Sequence, residues 1–213
     1  MEFMCELVGN DPRVIPQKAR NILSRRVRDA ALYGREKVNV MMESIVFKKA
    51  TAADLVDIKR VTRKAFTDYA REIRREENVA ALHETDDEIL RDIRDKHVYL
   101  CEVDGGVAGS VRFEVLKDGI AYLSRLAVDP EFQSLGIGGL LLEKVRRECV
   151  TLGVRAIALH TASRMRSSVA FYLKNGYYIH SITRDKAYIR AFMVNELTEM
   201  DELFDYESIV GKR

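Results

Sequence analysis

The chain has few cysteines, no long apolar run and almost no excess charge, and each shortage removes a class of protein. Cys5, Cys101 and Cys149 lie far apart and form no CxxC pair, so neither a disulfide framework nor a structural zinc site is expected. His83, His97, His160 and His180 show no metal-ligand spacing, and no metal is expected. The N-terminus, MEFMCELVGNDP, lacks a basic start followed by an apolar stretch, and no later segment reaches the length that spans a bilayer. The expectation is a cytoplasmic protein with no membrane partner. A net charge of +2 and a pI near 8.4 supply no global field toward nucleic acid or anionic lipid, so any basic site must be local.

What remains is an ordinary globular balance, 47% hydrophobic and 32% charged over 213 residues, with room for one sizeable α/β domain and an appendage. The division expected is a basic helical extension over 1–43, a main domain over 44–198 and an acidic tail over 199–213. In the extension, Pro12 and Pro16 precede a segment, Gln17 to Lys37, with Ala19, Ile22, Leu23, Val27, Ala30 and Ala31 at helical spacing. Its other faces are mostly Lys and Arg. Such a stripe packs on its own domain or on a second subunit, which makes a homodimer plausible; contact with nucleic acid or lipid is the alternative. Met41 or Met42 is a possible physiological start.

From Ser44 the pattern is regular. SIVFKKA reads as a strand, and Thr51 with Asp54 opens a helix through about Arg74 with Leu55, Ile58, Val61, Ala65, Phe66 and Tyr69 on one face. Thr85 and Glu88 form a TxxE capping box before a short helix. His97 to Val103, the Asp104-Gly105-Gly106 turn and Val107 to Leu116 give a hairpin, and Lys117-Asp118-Gly119 turns the chain into a third strand, Ile120 to Val128. A helix from about Ser134 to Leu152 then crosses over to a buried strand, Arg155 to Thr161, parallel to its predecessor. A helix around Arg166 to Lys174 and a closing hairpin, Tyr177 to Thr183 with Tyr188 to Leu197, complete the domain. The fold class is α/β (α+β), with a mixed, mostly antiparallel sheet.

The chemistry sits in Gln133-Ser134-Leu135-Gly136-Ile137-Gly138-Gly139, between a strand and a helix. Amides at a helix start are unpaired, glycines let an anion approach them, and the helix dipole adds positive potential there, so a pyrophosphate is the natural guest. Close helix-to-strand packing is the other reason for such glycines. A dinucleotide GxGxxG would need glycine at Leu141, and a Walker loop would need Lys-Ser/Thr where Leu140 and Leu141 stand; both fail.

SRLAVDPEFQSLGIGGLLLEKV, followed by SSVAFYLKNGYY, resembles the GNAT superfamily of acyl-CoA-dependent N-acetyltransferases over about residues 45 to 197. The resemblance implies two parallel strands that splay apart, and acetyl-CoA bound along Leu126, Ala127 and Val128, with its diphosphate on Gln133, Ser134, Leu135, Gly136, Ile137, Gly138 and Gly139. Lys174, Arg164 and Arg166 are candidates for the 3′-phosphate of coenzyme A. Tyr172 matches the general acid that protonates the departing thiolate, a task that suits a neutral phenol. The sequence departs from the family at Met165 and Ser168, where asparagine and alanine are common. Tyr122 and Ser124 occupy the strand positions where many members carry a general base, which leaves water held by Tyr122 or Ser124, or else Glu114 or His160, to take the proton. Phe66, Tyr69, Arg125, Tyr177 and His180 are candidate acceptor-lining residues. The implied reaction is direct attack of a small-molecule or protein primary amine on the acetyl group with both reactants bound. A non-catalytic acyl-CoA-binding module is the alternative.

Overall fold

Alternating apolar residues and two glycine-containing turns fold the middle of the chain into a meander, to which the rest of the sheet is added. The computed structural model describes residues 45–74, 76–184 and 188–211; the expected helix at Gln17 to Lys37 and the Met41/Met42 start lie outside them. The elements are β1 (Val46–Lys49), α1 (Leu55–Ile73), α2 (Asp86–Asp95), β2 (His97–Val103), β3 (Gly106–Val115), β4 (Ile120–Val128), α3 (Ile137–Thr151), β5 (Ala156–Ala162), α4 (Arg166–Lys174), β6 (Tyr178–Thr183), β7 (Arg190–Glu196) and α5 (Tyr206–Val210). One sheet runs β1-β2-β3-β4-β5-β7-β6, and only β4 and β5 are parallel.

Local chemistry accounts for the joints. Asp104 (φ 52) and Gly105 (φ 79) both take positive φ, as a two-residue hairpin turn requires. Thr85 and Glu88 close the capping box of α2, with the Glu88 N–H donating to Thr85 Oγ1 at 3.3 Å and the Thr85 N–H to Glu88 Oε2 at 2.8 Å. In β2, Tyr99, Cys101 and Val103 point into the core under α3, whereas Val98 and Leu100 point to the face covered by α1. Ile58 and Val61 of α1 fill that second face.

Two departures from regular pairing place the site. The parallel pairing of β4 and β5 is confined to Ile120 with Ala156, Ala121 with Ile157 and Tyr122 with Ala158, after which the strands separate. On its other side β4 bulges: Ser110 pairs Ala127 and Arg112 pairs Ser124, so Val111 alone opposes Arg125 and Leu126. Arg125 takes the extra turn at φ 52.

The C-terminal residues also join the fold. Glu199, Asp201, Glu202, Asp205 and Glu207 are exposed, but Tyr206 and Val210 are buried on the sheet face away from α3, beside Ile120, Ala158 and Phe192. Tyr206 Oη donates to Glu196 at 3.0 Å. Burial of two such side chains is worth about 1.5–3 kcal/mol each. Deleting residues 199–213 is therefore expected to cost about 3 kcal/mol or more, read as a lowered urea midpoint.

Candidate active site

The glycine turn is held by a buried carboxylate. Asp129 follows β4, is 1% exposed, and accepts from Arg60 Nη1 and Lys64 Nζ of α1, each at 2.9 Å. It also caps the next turn by accepting from the Glu131 N–H at 3.3 Å, while Arg60 Nη2 donates to the Val107 carbonyl at 2.8 Å. Burial pushes the Asp129 carboxyl up, and the bonds from Lys64 and the Glu131 amide more than reverse this, holding it below the usual carboxylate value. Arg60 and Lys64 thus tie helix α1 to the start of the turn.

After Asp129 the chain makes a 3₁₀ turn, Pro130–Leu135, and Gly136 then adopts a left-handed conformation (φ 78, ψ 11). Helix α3 begins at Ile137, not at Ser134 as the sequence pattern predicts, because that left-handed residue interrupts the helix. The first amides of a helix have no intrahelical acceptor. The Gly139 N–H turns back onto the Gly136 carbonyl at 3.0 Å, so the bare amides are those of Ile137 and Gly138. A Cβ on Gly138 would stand 3.1 Å from Phe171 Cζ of α4, whereas one on Gly136 would meet nothing within 4 Å. Gly138 thus allows α4 to pack closely against the start of α3, and Gly136 supplies the left-handed turn.

This turn closes one end of a cavity of about 460 Å³ lined by Gln133, Gly136, Gly138 and Gly139, with Leu126 and Val128 of β4, Phe171 and Tyr172 of α4, and Phe66 and Tyr69 of α1 among its other walls. The side chains of Ala127 and Ile137 are buried in the core, and Leu135 packs against it. Ser134 belongs to the 3₁₀ turn. Lys174, Arg164 and Arg166 are exposed and do not line the cavity.

A second cavity, of about 500 Å³, opens on the sheet face that carries α1 and α2. Tyr122 and Ser124 line it, as do Glu114 and His160. The Tyr122–Ala158 pairing puts His160 two residues along the same face, and Tyr122 Oη lies 3.1 Å from His160 Nδ1. The two cavities share the walls Phe66, Tyr69, Leu126, Ser168 and Tyr172. Tyr69 is fixed there because its hydroxyl accepts from the Ala162 N–H at 2.9 Å. Burial, and then the neighbouring Tyr122, push the Tyr172 phenol well above its ordinary range, so it keeps its proton at any working pH.

The structure corrects two lining residues. Tyr177 is buried in the core with its ring 5.5 Å from that of Tyr172, and His180 packs on Phe192 and Tyr206; neither lines either cavity. The reason is strand order, since β6 is outermost and the inner strand β7 brings Arg190 to the wall instead. Arg125 does line the second cavity. Behind it stands a charge network not anticipated from the sequence. Arg112, 1% exposed at its side chain, donates through Nη1 to Glu84 (2.9 Å) and Asp92 (2.8 Å), Arg125 Nε donates to Glu84 (2.8 Å), and Lys96 pairs with Asp92 (2.9 Å). The missed signal was an arginine between Val111 and Phe113, in the middle of a strand with both faces covered.

The acetyltransferase (GNAT) family model matches residues 66–177, more than half of the chain, from within α1 to just past the end of α4. The chain belongs to the GNAT acetyltransferase family. It is an acyltransferase, and its acyl donor is acetyl-CoA. Among solved structures, PaiA N-acetyltransferase from Thermoplasma acidophilum in complex with coenzyme A aligns with a TM-score of 0.65 at 21% identity, over 72% of this chain and 99% of that one. The ribosomal-protein-S18-alanine N-acetyltransferase from Escherichia coli aligns at 0.59 and 18%, over 76% and 99%, and Ard1 from Thermoplasma volcanium at 0.61 and 18%, over 73% and 99%. A search of curated protein sequences finds no match. The splayed β4 and β5 are the GNAT arrangement, and the Gly136 turn fits a diphosphate: the Ile137 and Gly138 amides are bare, and a Cβ at Gly136 would meet nothing within 4 Å. Among the described residues no helix is long and apolar enough to cross a membrane.

Proposed function

We propose that this GNAT protein acetylates a primary amine by direct transfer, with donor and acceptor bound together in the two adjoining cavities. The observation that carries this reading is the common wall of Phe66, Tyr69, Leu126, Ser168 and Tyr172. Acetyl-CoA supplies an activated acyl group whose departing thiolate needs a proton. The Gln133–Gly139 turn holds its diphosphate end, and the β4 edge from Leu126 to Val128 orients the arm. Holding both reactants in near-attack geometry is worth about 7–11 kcal/mol of barrier, more than any single proton transfer supplies.

Tyr172 gives the proton to the leaving sulfur, and its raised pKa suits a donor rather than a base. On the acceptor side the Tyr122–His160 pair receives the ammonium proton, with Ser124 ordering water beside it. Amine-dependent thiol release across an amine panel tests the activity. Tyr172→Phe is expected to lower kcat by about 10²–10⁴-fold with the acetyl-CoA KM within a few-fold. A kcat unchanged in that variant removes Tyr172 from the proton path, and thiol release that no amine accelerates sinks the transfer reading itself.

A further inference from the structure

The acceptor cavity carries charge of both signs. Among the described residues, Lys96, Arg112 and Arg125 form ion pairs with Glu84 and Asp92, and Lys96, Asp92 and Arg125 reach the cavity wall. Arg112 is consumed within the fold, since its guanidinium bridges Glu84 and Asp92 out of contact with solvent. Arg125 is different. It is held only through Nε, by Glu84, its side chain is 27% exposed, and its terminal amino groups hold no hydrogen bond to any described residue. It stands in the cavity wall one residue before Leu126, which borders both cavities.

The backbone adds a second indication. Arg125 sits at φ 52 in the bulge, where an L side chain costs about 1–2 kcal/mol and glycine would not. An anchored guanidinium with two free N–H₂ groups matches a carboxylate in shape and charge. Lys96, paired to Asp92 at 2.9 Å and also in the cavity wall, adds positive potential on the same side.

We infer that the acceptor is an amine that also carries a carboxylate, bound by Arg125 with the support of Lys96. This rests on the second cavity being the acceptor site. Matched pairs decide it: β-alanine against propylamine, 4-aminobutyrate against butylamine, and L-α-amino acids against their amides. Each is followed by thiol release from acetyl-CoA and, separately, by calorimetric binding to the coenzyme A-loaded protein. The carboxylated member of at least one pair is expected to bind, and to be turned over, on the order of tenfold or more better than its mate. Arg125→Gln, which keeps an unbranched residue at the bulge, is expected to raise the KM of that member about ten- to a hundred-fold and to leave its mate within threefold. Arg125→Lys retains part of the preference. Lys96→Gln lowers it as well, which serves if the Arg125 variants do not fold. Equal binding of both members in every pair, binding of neither, or a preference that survives both glutamine variants overturns the inference. Preferential binding without thiol release leaves it standing and sinks the transfer reading, whereas thiol release without discrimination does the reverse.

Discussion

Replacing Gly136 with aspartate is expected to weaken acetyl-CoA binding by at least about 100-fold, while the asparagine variant stays within about tenfold of the parent. Either side chain costs about 1–2 kcal/mol for its left-handed backbone at φ 78, and neither meets an atom, since a Cβ there has nothing within 4 Å. The two variants therefore share whatever they do to folding. They differ in charge. A carboxylate placed about 4 Å from a diphosphate, at an effective dielectric near 20, repels each unit of its charge by roughly 4 kcal/mol. It also competes for the amides of Ile137 and Gly138 and for the helix dipole. Calorimetric titration of both variants with acetyl-CoA, beside their thermal midpoints, isolates this difference. Equal affinities for the two would mean that the diphosphate lies elsewhere.

That test uses a feature already legible in the sequence, and so was most of the sheet. Asp104-Gly105 announced its hairpin because two successive positive φ values leave few residue choices. The capping boxes at Thr51 and Thr85 marked helix starts because their bonds close within four residues. Features that depend on distant chain were not legible. The bulge at Arg125 follows from the register of β4 against β3, which no local pattern encodes. The order of β7 and β6 decided that Arg190, and not His180, reaches the site, and a hairpin signal does not say which strand lies inside. In the acidic tail, charge masked the spacing of Tyr206 and Val210, the two residues that dock it. The three members of the proposed proton path, Tyr122, His160 and Tyr172, were each visible as residue types. Their convergence came only with the splayed strands and the fold of α4.

Arg112→Met is expected to destabilise the protein by about 3 kcal/mol at neutral pH, because it leaves the half-buried carboxylates Glu84 and Asp92 with only Arg125 and Lys96 as counter-charges. The deficit should have a definite pH dependence. Burial pushes the Asp92 carboxyl up, but bonds from Lys96 and Arg112 outweigh it and hold the group below its ordinary value of 3.8. A depressed carboxyl contributes stability above its unfolded pKa, and this is lost as pH falls through the folded one. In the variant the Arg112 contribution is gone, so Asp92 protonates at higher pH in the folded state and the penalty is relieved on acidification. Urea denaturation at pH 7 and near pH 4 should show the gap between parent and variant narrowing toward acid. Adding Glu84→Gln and Asp92→Asn should recover much of the loss at pH 7, since an apolar or neutral cluster of similar volume costs less than an unpaired buried ion. Stability and function then separate. The triple variant keeps Arg125 but removes the carboxylate that orients it, so a recovered fold should still bind a carboxylated acceptor less tightly than the parent. A triple variant that regains stability and parental acceptor KM would show that Glu84 only balances charge and that Arg125 needs no anchor.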